Sequence, residues 1–181
     1  ADELMHYMVS EQGCYLASKE EQDALTEVVL KGGKLNRKCV GRDAKTLLGM
    51  IGVQVPDNIR CITFEGPKEH PLIATELMMP ILGVVRAKDF DDAVEQAVWL
   101  EHGNRHSAHI HSKNVDNITK YAKAIDTAIL VKNGPSYSAL GFGGEGFCTF
   151  TIASRTGEGL TSASTFTKRR RCVMTDSLCI R

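Results

Sequence analysis

Four of the six histidines in the chain lie within ten positions, in the stretch WLEHGNRHSAHIHS. Imidazole binds zinc and titrates near neutral pH, so the cluster could hold a metal or transfer protons. A glycine directly after His102 predicts the end of a helix there, which separates His102 from His106. In the strand that follows, His109 and His111 share one face and His106 lies on the other. At most two ligands converge, fewer than a structural zinc site needs, so no metal is expected and a histidine-based metal protein is kept only as a rival.

A second candidate for chemistry is the segment HPLIATELMMP, residues 70–80, in which Glu76 is the one carboxylate among apolar residues. A buried carboxylate must be hydrogen-bonded, paired with a cation or protonated. An exposed glutamate is the more common case. The residues alone leave open whether Glu76 binds a ligand or lies on the surface.

The letters GFGGEG, residues 141–146, match the GxGxxG pattern of dinucleotide-binding loops. That pattern binds a pyrophosphate when a helix follows it, because the ligand lies at the helix N-terminus. Here the next residues, FCTFTI, alternate like a strand. The match is therefore interpreted as accidental, and the segment is expected to be a turn-rich loop.

Composition excludes several classes of partner. Twenty-two basic residues balance twenty-two acidic ones, which gives no electrostatic reason to expect nucleic acid or an anionic membrane. In the run KRRR, residues 168–171, strand alternation divides the charges between two faces, which favours a solvated or subunit-bridging strand. The six cysteines are spread singly, as in a protein with reduced thiols. A soluble cytoplasmic protein is expected.

The spacing of apolar residues predicts helices first and then an alternation of strands and helices. Three helices are predicted over 3–12, from the Ser18 capping box to the Gly32–Gly33 pair, and from Asp43 to Gly52. Strands are predicted at 60–65, 81–87, 107–111 and 128–132, with helices at 89–103 and after Asn114. This order predicts an α/β fold with a mainly parallel sheet, layered with helices. Further strands are predicted at 147–153 and 164–174.

Two long stretches, residues 70–116 and 131–173, closely resemble the C-terminal part of CoA-acylating aldehyde dehydrogenases. These are the propionaldehyde and acetaldehyde dehydrogenases of bacterial microcompartments. The resemblance implies a partial catalytic α/β domain over 1–146 and a β-strand oligomerisation extension over 147–181. It also implies homo-oligomers formed through the terminal strands, in the cytoplasm or inside a microcompartment.

The same resemblance implies roles for particular residues. A glutamate four positions before a proline is a superfamily pattern that Glu76 and Pro80 fit, and Glu76 would then hold the hydroxyls of the nicotinamide ribose. The usual Phe-Gly before that proline is Met78-Met79 here. NGPSYSALGFGG resembles the segment that leads to the superfamily's Phe-Gly-Gly loop, which makes candidates for the aldehyde pocket of Ser136, Tyr137 and Leu140.

In this family a cysteine upstream of the matching segment attacks the aldehyde, a hydride passes to NAD or NADP, and CoA resolves the thioester. None of the six cysteines here matches that motif, and the cofactor domain is absent, so the chain alone is expected to be inactive. The implied partners are a small aliphatic aldehyde and CoA. A non-catalytic assembly or interaction module is the rival interpretation.

Overall fold

A computed structural model describes residues 1–143, 167–173 and 175. The chain divides into two compact units, Ala1–Leu100 and Glu101–Arg181. The helices are α1 (Asp2–Ser10), α2 (Lys19–Val29), α3 (Ala44–Met50), α4 (Pro71–Ala74), α5 (Phe90–Glu101) and α6 (Val115–Ile125). The strands are β1 (Cys14–Leu16), β2 (Cys61–Glu65), β3 (Ile81–Val84), β4 (Ser107–Ile110) and β5 (Ile129–Lys132). The predicted strand at 147–153 and the predicted domain boundary after residue 146 lie outside the described residues.

The predicted starts of α2 and α3 are confirmed, because each has a side chain that caps it. Ser18 Oγ accepts from the backbone N–H of Glu21, and the Glu21 carboxylate accepts from the backbone N–H of Ser18 at 2.7 Å. At the start of α3, the Asp43 carboxylate accepts from the backbone N–H of Thr46 at 2.6 Å. Such caps satisfy the backbone donors that a helix leaves free in its first turn.

The first unit is built on three parallel strands in the order β1-β2-β3. The central strand β2 is the best buried, and the side chains of Ile62, Thr63 and Phe64 are fully enclosed. Helices α2 and α3 contribute buried leucines to the same core, notably Leu25 and Leu47. The sheet is parallel throughout, as the order of elements predicts.

The strand predicted at 81–87 is formed over only the first part of that range. Strand β3 ends at Val84, and the Leu82 side chain is 52% exposed. β3 is an edge strand in the described sheet, paired with β2 alone. Gly83 lies where α4 approaches closely, since a Cβ added there would meet the Ile73 side chain.

The second unit contains a β4-α6-β5 crossover whose two strands pair in parallel, as predicted. Asn114 caps α6 by accepting from the backbone N–H groups of Asp116 and Asn117. A short 3₁₀ turn, Ser136–Leu140, follows β5. The chain before this turn is a rigid scaffold for it, because β5 is hydrogen-bonded along its length to β4.

The predicted strand at 164–174 is not formed over 167–173, where the backbone has no regular structure and the side chains are exposed. A strand requires ladder hydrogen bonds to a neighbour, and no described strand pairs with this segment. Among the residues that the structure describes, no helix has the length and apolar character needed to cross a bilayer.

Candidate functional site

A pocket in the second unit is formed between one face of the β4–β5 pair and the Ser136–Leu140 turn. Alternate residues of the two paired strands point to the same face, and the register places Ser107 beside Ile129 and His109 beside Val131. The turn closes the space above that face and leaves a cavity of about 240 Å³. The lining residues are Ser107, His109, Ile129, Val131, Ser136, Tyr137, Ala139 and Leu140.

The three residues predicted for a substrate pocket, Ser136, Tyr137 and Leu140, thus line one cavity. The strand residues opposite them were not predicted. Strand alternation does predict that His109 and His106 lie on opposite faces of β4. The sequence does not show which of these faces the turn covers. The structure answers that question in favour of the His109 face.

The turn leaves β5 through an Asn-Gly pair with unusual backbone geometry. Asn133 has φ 54°, and its amide makes hydrogen bonds of 2.8 and 2.9 Å with the backbone of Ser112. Gly134 is tightly placed, since a Cβ there would lie 3.2 Å from Ser138 Oγ. These contacts fix the direction in which the chain enters the turn, and so the depth of the pocket.

The pocket wall is nearly all carbon, although four side chains with a polar group border it. His109 Nε2 and Ser136 Oγ form a hydrogen bond of 3.0 Å, and Ser107 Oγ forms one of the same length with His106 Nδ1. Burial lowers the pKa of His109, and the neighbouring His111 lowers it further. The carbon lining makes the cavity suited to a short apolar group.

The histidine stretch does not form a metal centre in the part of the chain that the structure describes. No three His, Cys, Asp or Glu side chains are grouped there in an arrangement that could hold a metal ion. Two of the four histidines are instead bonded to serines at the pocket border.

The other predicted residues lie in the first unit, on a loop from Glu76 to Pro80 that is held at three points. The Leu77 side chain is buried in the core. The Met78 carbonyl accepts from the backbone N–H of Gly41 at 3.1 Å, and the Pro80 carbonyl accepts from Ile62 at 2.9 Å. The loop therefore has a defined shape even though it contains no regular structure.

Glu76 projects from this loop into solvent. Its carboxylate makes no hydrogen bond or ion pair with any other described residue, so both oxygens are free to accept. The apolar neighbours that made Glu76 conspicuous do not surround it: Leu77 points into the core, and Met78 is 67% exposed with φ 54°. The position of the carboxylate is compatible with either alternative that the sequence left open.

The start of the same segment is capped by a histidine. His70 Nδ1 accepts from the backbone N–H of Leu72 at 3.2 Å, and its ring lies 4.8 Å from that of Phe64. Burial lowers the pKa of His70, with a smaller contribution from the Lys19 cation. The neutral ring is the form that can accept this hydrogen bond.

The two cysteines of the first sheet do not have the properties of a nucleophile. Cys14 and Cys61 are register partners on β1 and β2. Burial raises the pKa of the Cys61 thiol to about 11, and burial also raises the pKa of Cys14. The reactive form is the thiolate, so both thiols are inert near neutral pH.

A larger and more open cleft of about 530 Å³ lies at the carboxyl ends of β2 and β3. Its charged groups largely neutralise one another: Arg86 bonds to both Glu65 and Asp2, and Asp92 accepts from the backbone of Lys88 and from Gln96. These pairs leave no arrangement of unpaired groups that would indicate a ligand.

Comparison with known proteins places both regions in one family. The profile of the aldehyde dehydrogenase family matches residues 44–165. The chain belongs to the aldehyde dehydrogenase family. The match includes the Glu76–Pro80 loop and the Ser136–Leu140 turn, which therefore lie within the part of the chain that is typical of aldehyde dehydrogenases.

Individual aldehyde dehydrogenases of the CoA-acylating kind are similar over nearly the whole chain. An acetylating acetaldehyde dehydrogenase of Salmonella typhimurium is 46% identical over 183 residues, 98% of this chain and 39% of the relative. A propionaldehyde dehydrogenase from the Clostridium phytofermentans fucose utilisation bacterial microcompartment is 80% identical, with a TM-score of 0.91 over 99% of this chain and 41% of that one. A Rhodopseudomonas palustris propionaldehyde dehydrogenase, solved with bound CoA and an acylated cysteine, is 49% identical with a TM-score of 0.90 over 96% of this chain and 40% of its own. The chain thus spans about two fifths of the length of these relatives, and the α/β fold is confirmed.

Proposed function

We propose that this chain is the C-terminal catalytic part of a CoA-acylating aldehyde dehydrogenase that converts a small aliphatic aldehyde and CoA into an acyl-CoA, with NAD or NADP as oxidant. The observation that carries the proposal is the carbon-lined pocket of about 240 Å³ under the Ser136–Leu140 turn. Three of its eight lining residues, Ser136, Tyr137 and Leu140, are those that family resemblance makes candidates for the aldehyde pocket.

The pocket supplies binding energy of the kind that a short alkyl chain can use. Each CH₂ group moved from water into such a wall contributes about 0.8 kcal/mol. The side chains of Leu140, Val131 and Ile129 provide the wall, and the Tyr137 ring borders it. Holding the alkyl chain of the substrate in one place orients its carbonyl group. Such orientation is the main contribution of a substrate pocket to the rate of reaction.

The Glu76 carboxylate fits a role in binding the dinucleotide. Both of its oxygens are free within the described structure, and two adjacent ribose hydroxyls could each donate to one of them. When bound, the nicotinamide supplies the hydride acceptor. The three anchors of the Glu76–Pro80 loop hold the backbone beside Glu76 in place, so that little backbone ordering energy is lost on binding.

The covalent step requires a thiolate that this chain does not supply. The described Cys14 and Cys61 thiols remain protonated, and none of the six cysteines matches the family's nucleophile motif. We therefore expect the isolated chain to be inactive, and to act only with the upstream part that its relatives possess. Homo-oligomers formed through the terminal strands, and a place in the cytoplasm or in a microcompartment, belong to the same proposal.

The test compares the full-length protein that carries this sequence with the isolated 181-residue chain. Reduction of NAD or NADP is followed with propanal, with and without CoA. Activity of the full-length protein that depends on CoA, and none in the isolated chain, is the expected result. Activity in neither would overturn the proposal and favour the assembly module.

A paired substitution tests the role of Glu76 in the full-length protein. Glu76→Gln removes the charge that strengthens the hydrogen bonds to ribose, and we expect KM for the dinucleotide to rise about tenfold or more. Glu95→Gln is the matched control, because Glu95 is another exposed glutamate of the same unit. Equal KM values in the two variants would show that Glu76 does not contact the cofactor.

A further inference from the structure

Positive charge is concentrated in the segment that connects helices α2 and α3. Residues 31–42, here called the basic loop, contain five of the chain's twenty-two basic residues and no acidic residue. These cations, all of them exposed, are Lys31, Lys34, Arg37, Lys38 and Arg42. Because the chain as a whole has no net charge, the basic loop is a local excess of positive charge.

The cations of the basic loop are not used in ion pairs within the described structure. None of the ion pairs between described residues includes any of the five. The nearest carboxylate along the chain, Asp43, accepts from the backbone N–H of Thr46 at 2.6 Å. Hydrogen bonds from Thr46 lower the pKa of Asp43, and the cations of Lys45 and Arg42 contribute less. The charge of the loop therefore remains available to an anion from outside.

The backbone that carries these cations is fixed to the core. Asn36 donates from its backbone N–H to the Val29 carbonyl at 2.8 Å, and its side-chain amide donates to the Val28 carbonyl at 2.9 Å. In the middle of the loop the Cys39 side chain is fully buried. An anion that binds to the loop therefore has little backbone to order, which favours binding.

The basic loop is joined directly to the Glu76–Pro80 loop. The backbone N–H of Gly41 donates to the Met78 carbonyl at 3.1 Å. Gly41 is next to Arg42 in the chain, and Met78 lies two residues after Glu76. The excess of positive charge thus borders the loop for which we propose a role in binding the dinucleotide.

A nucleotide that approaches Glu76 needs such a neighbour. NAD, NADP and CoA all carry a negatively charged pyrophosphate, and NADP and CoA carry a further phosphate. The exposed Glu76 carboxylate repels these groups, although it is suited to the ribose hydroxyls. Cations on an adjoining loop offset that repulsion, because charges at a protein surface act over about 8 Å at physiological ionic strength.

We propose that the basic loop is a docking surface for the phosphate groups of the nucleotide co-substrates. The inference rests on the proposed function, since it requires the Glu76–Pro80 loop to receive a nucleotide. It goes further by assigning a binding role to residues 31–42, which belong to neither the pocket nor the Glu76–Pro80 loop. Exposed cations of this kind act mainly on the rate of association, and salt removes their effect.

The experiment measures kcat/KM of the full-length enzyme for CoA and for its dinucleotide, at ionic strengths of about 0.02 M and about 0.5 M. The variant Lys34→Gln/Arg37→Gln/Lys38→Gln removes three exposed cations and leaves the anchors of the loop intact. At the lower ionic strength both values should fall about tenfold, and at the higher one they should lie within about twofold of the unmodified enzyme. The KM for propanal, which is uncharged, should not change.

Two controls make the test specific to charge and to position. Lys34→Arg/Lys38→Arg keeps both charges and should retain the original values. Lys38→Gln and Lys88→Gln each remove one exposed cation of the first unit, but Lys88 follows the carboxyl end of β3 whereas the Glu76–Pro80 loop leads into its start. Lys38→Gln should lower kcat/KM about two- to threefold at low ionic strength, and Lys88→Gln should leave it unchanged.

Dephospho-CoA identifies which phosphate the loop attracts, because it keeps the pyrophosphate of CoA and lacks the 3′-phosphate. A loss in the triple variant that is equal for CoA and dephospho-CoA assigns the loop to the pyrophosphate. A smaller loss for dephospho-CoA assigns it to the additional phosphate. Either result supports a phosphate-docking surface.

The remaining outcomes separate this inference from the proposed function. If the triple variant keeps both kcat/KM values at low ionic strength, or loses them equally at both ionic strengths, the loop does not dock phosphates and the inference is overturned while the proposed function stands. Equal losses in Lys38→Gln and Lys88→Gln would overturn it as well. If the unmodified full-length protein oxidises no aldehyde with CoA, the proposed function itself fails.

Discussion

The side-chain amide of Asn133 makes two hydrogen bonds with the backbone of Ser112: Oδ1 accepts from its N–H at 2.8 Å, and Nδ2 donates to its carbonyl at 2.9 Å. Ser112 lies just beyond β4 and Asn133 just beyond β5, so one side chain joins the ends of two parallel strands. It does so from a left-handed backbone conformation, φ 54°, that asparagine tolerates better than most residues. The pocket turn begins at Ser136, three residues after Asn133.

Two substitutions at this junction separate the hydrogen bonds from the backbone conformation. Asn133→Gly loses both bonds but keeps a residue that adopts positive φ freely, and should lower the free energy of unfolding by about 1 kcal/mol. Asn133→Ala adds the cost of a Cβ in the left-handed region, for a total of about 2–3 kcal/mol. Urea unfolding measures both. Equal stability of the two variants would show that the backbone conformation at 133 carries no strain.

A close approach between Gly83 and Ile73 underlies the second prediction. A Cβ at Gly83 would lie 2.6 Å from Ile73 Cδ1 and 3.2 Å from Phe64 Cζ. Gly83→Ala should therefore destabilise the chain by about 1–3 kcal/mol through overpacking. Adding Ile73→Ala to make room should recover part of that loss, so that the effects of the two substitutions are not additive.

The matched control for Gly83 is Gly49, in helix α3, where a Cβ would meet nothing within 4 Å. Gly49→Ala should be neutral or stabilise the protein by up to about 1 kcal/mol, because alanine is the better helix former. Thermal unfolding of the two alanine variants, measured side by side, compares their stabilities. A Gly83→Ala protein as stable as Gly49→Ala would mean that Ile73 moves aside at no cost.

Local features of the fold could be predicted from the sequence, because their causes lie within a few residues. The caps at Ser18, Asp43 and Asn114 are contacts across two or three positions, and all three are confirmed. Strand β1 was missed since it has only three residues, too few for a periodic pattern, and is held by pairing with β2. Helix α4 was missed for a similar reason: it has four residues and begins at a proline after a histidine cap.

Of the candidate site, only the residues that are close together in the sequence were predicted. Ser136, Tyr137 and Leu140 lie on one turn and could be identified together by resemblance, and the structure places them around one cavity. Their neighbours Ile129 and His109 come from two strands, and they meet because of the β4–β5 register, which no short sequence pattern specifies. Whether Glu76 binds a cofactor remains a proposal, since its exposed carboxylate suits both alternatives.

The third prediction concerns pH and His70. Burial and the Lys19 cation lower the pKa of this histidine below that of the unfolded chain, about 6.5. Below about pH 6.5 the unfolded state binds more protons than the folded state. The free energy of unfolding is therefore highest above about pH 6.5, and it decreases as the pH falls toward the lowered pKa of the folded state. Protonation of Nδ1 would also remove the acceptor for the Leu72 N–H.

His70→Asn is the variant that tests this, because asparagine keeps a capping acceptor and does not titrate. When the pH is lowered from about 8 to about 5.5, the urea midpoint of the unmodified chain should decrease, and that of His70→Asn should decrease less. His109, whose pKa is also lowered, is present in both proteins, so the difference between them isolates His70. Identical pH dependence in the two would contradict a folded-state pKa shift at His70.

The fourth prediction uses the cysteines, since a thiol protonated in the folded state is protected from alkylation. With a pKa of about 11, Cys61 is a thiolate in only about 0.1% of molecules at about pH 8. Cys61 is half-buried, and its partner Cys14 is buried. Exposed Cys172 should therefore react with iodoacetamide at least about 100-fold faster than Cys61 in the folded chain. Mass spectrometry of peptides sampled over time gives the rates, and labelling in guanidinium, where all six cysteines should react, is the control. Labelling of Cys61 as fast as that of Cys172 would mean that the β1–β2 pair opens readily or that its thiols are activated, and the assignment of these cysteines as structural would be wrong.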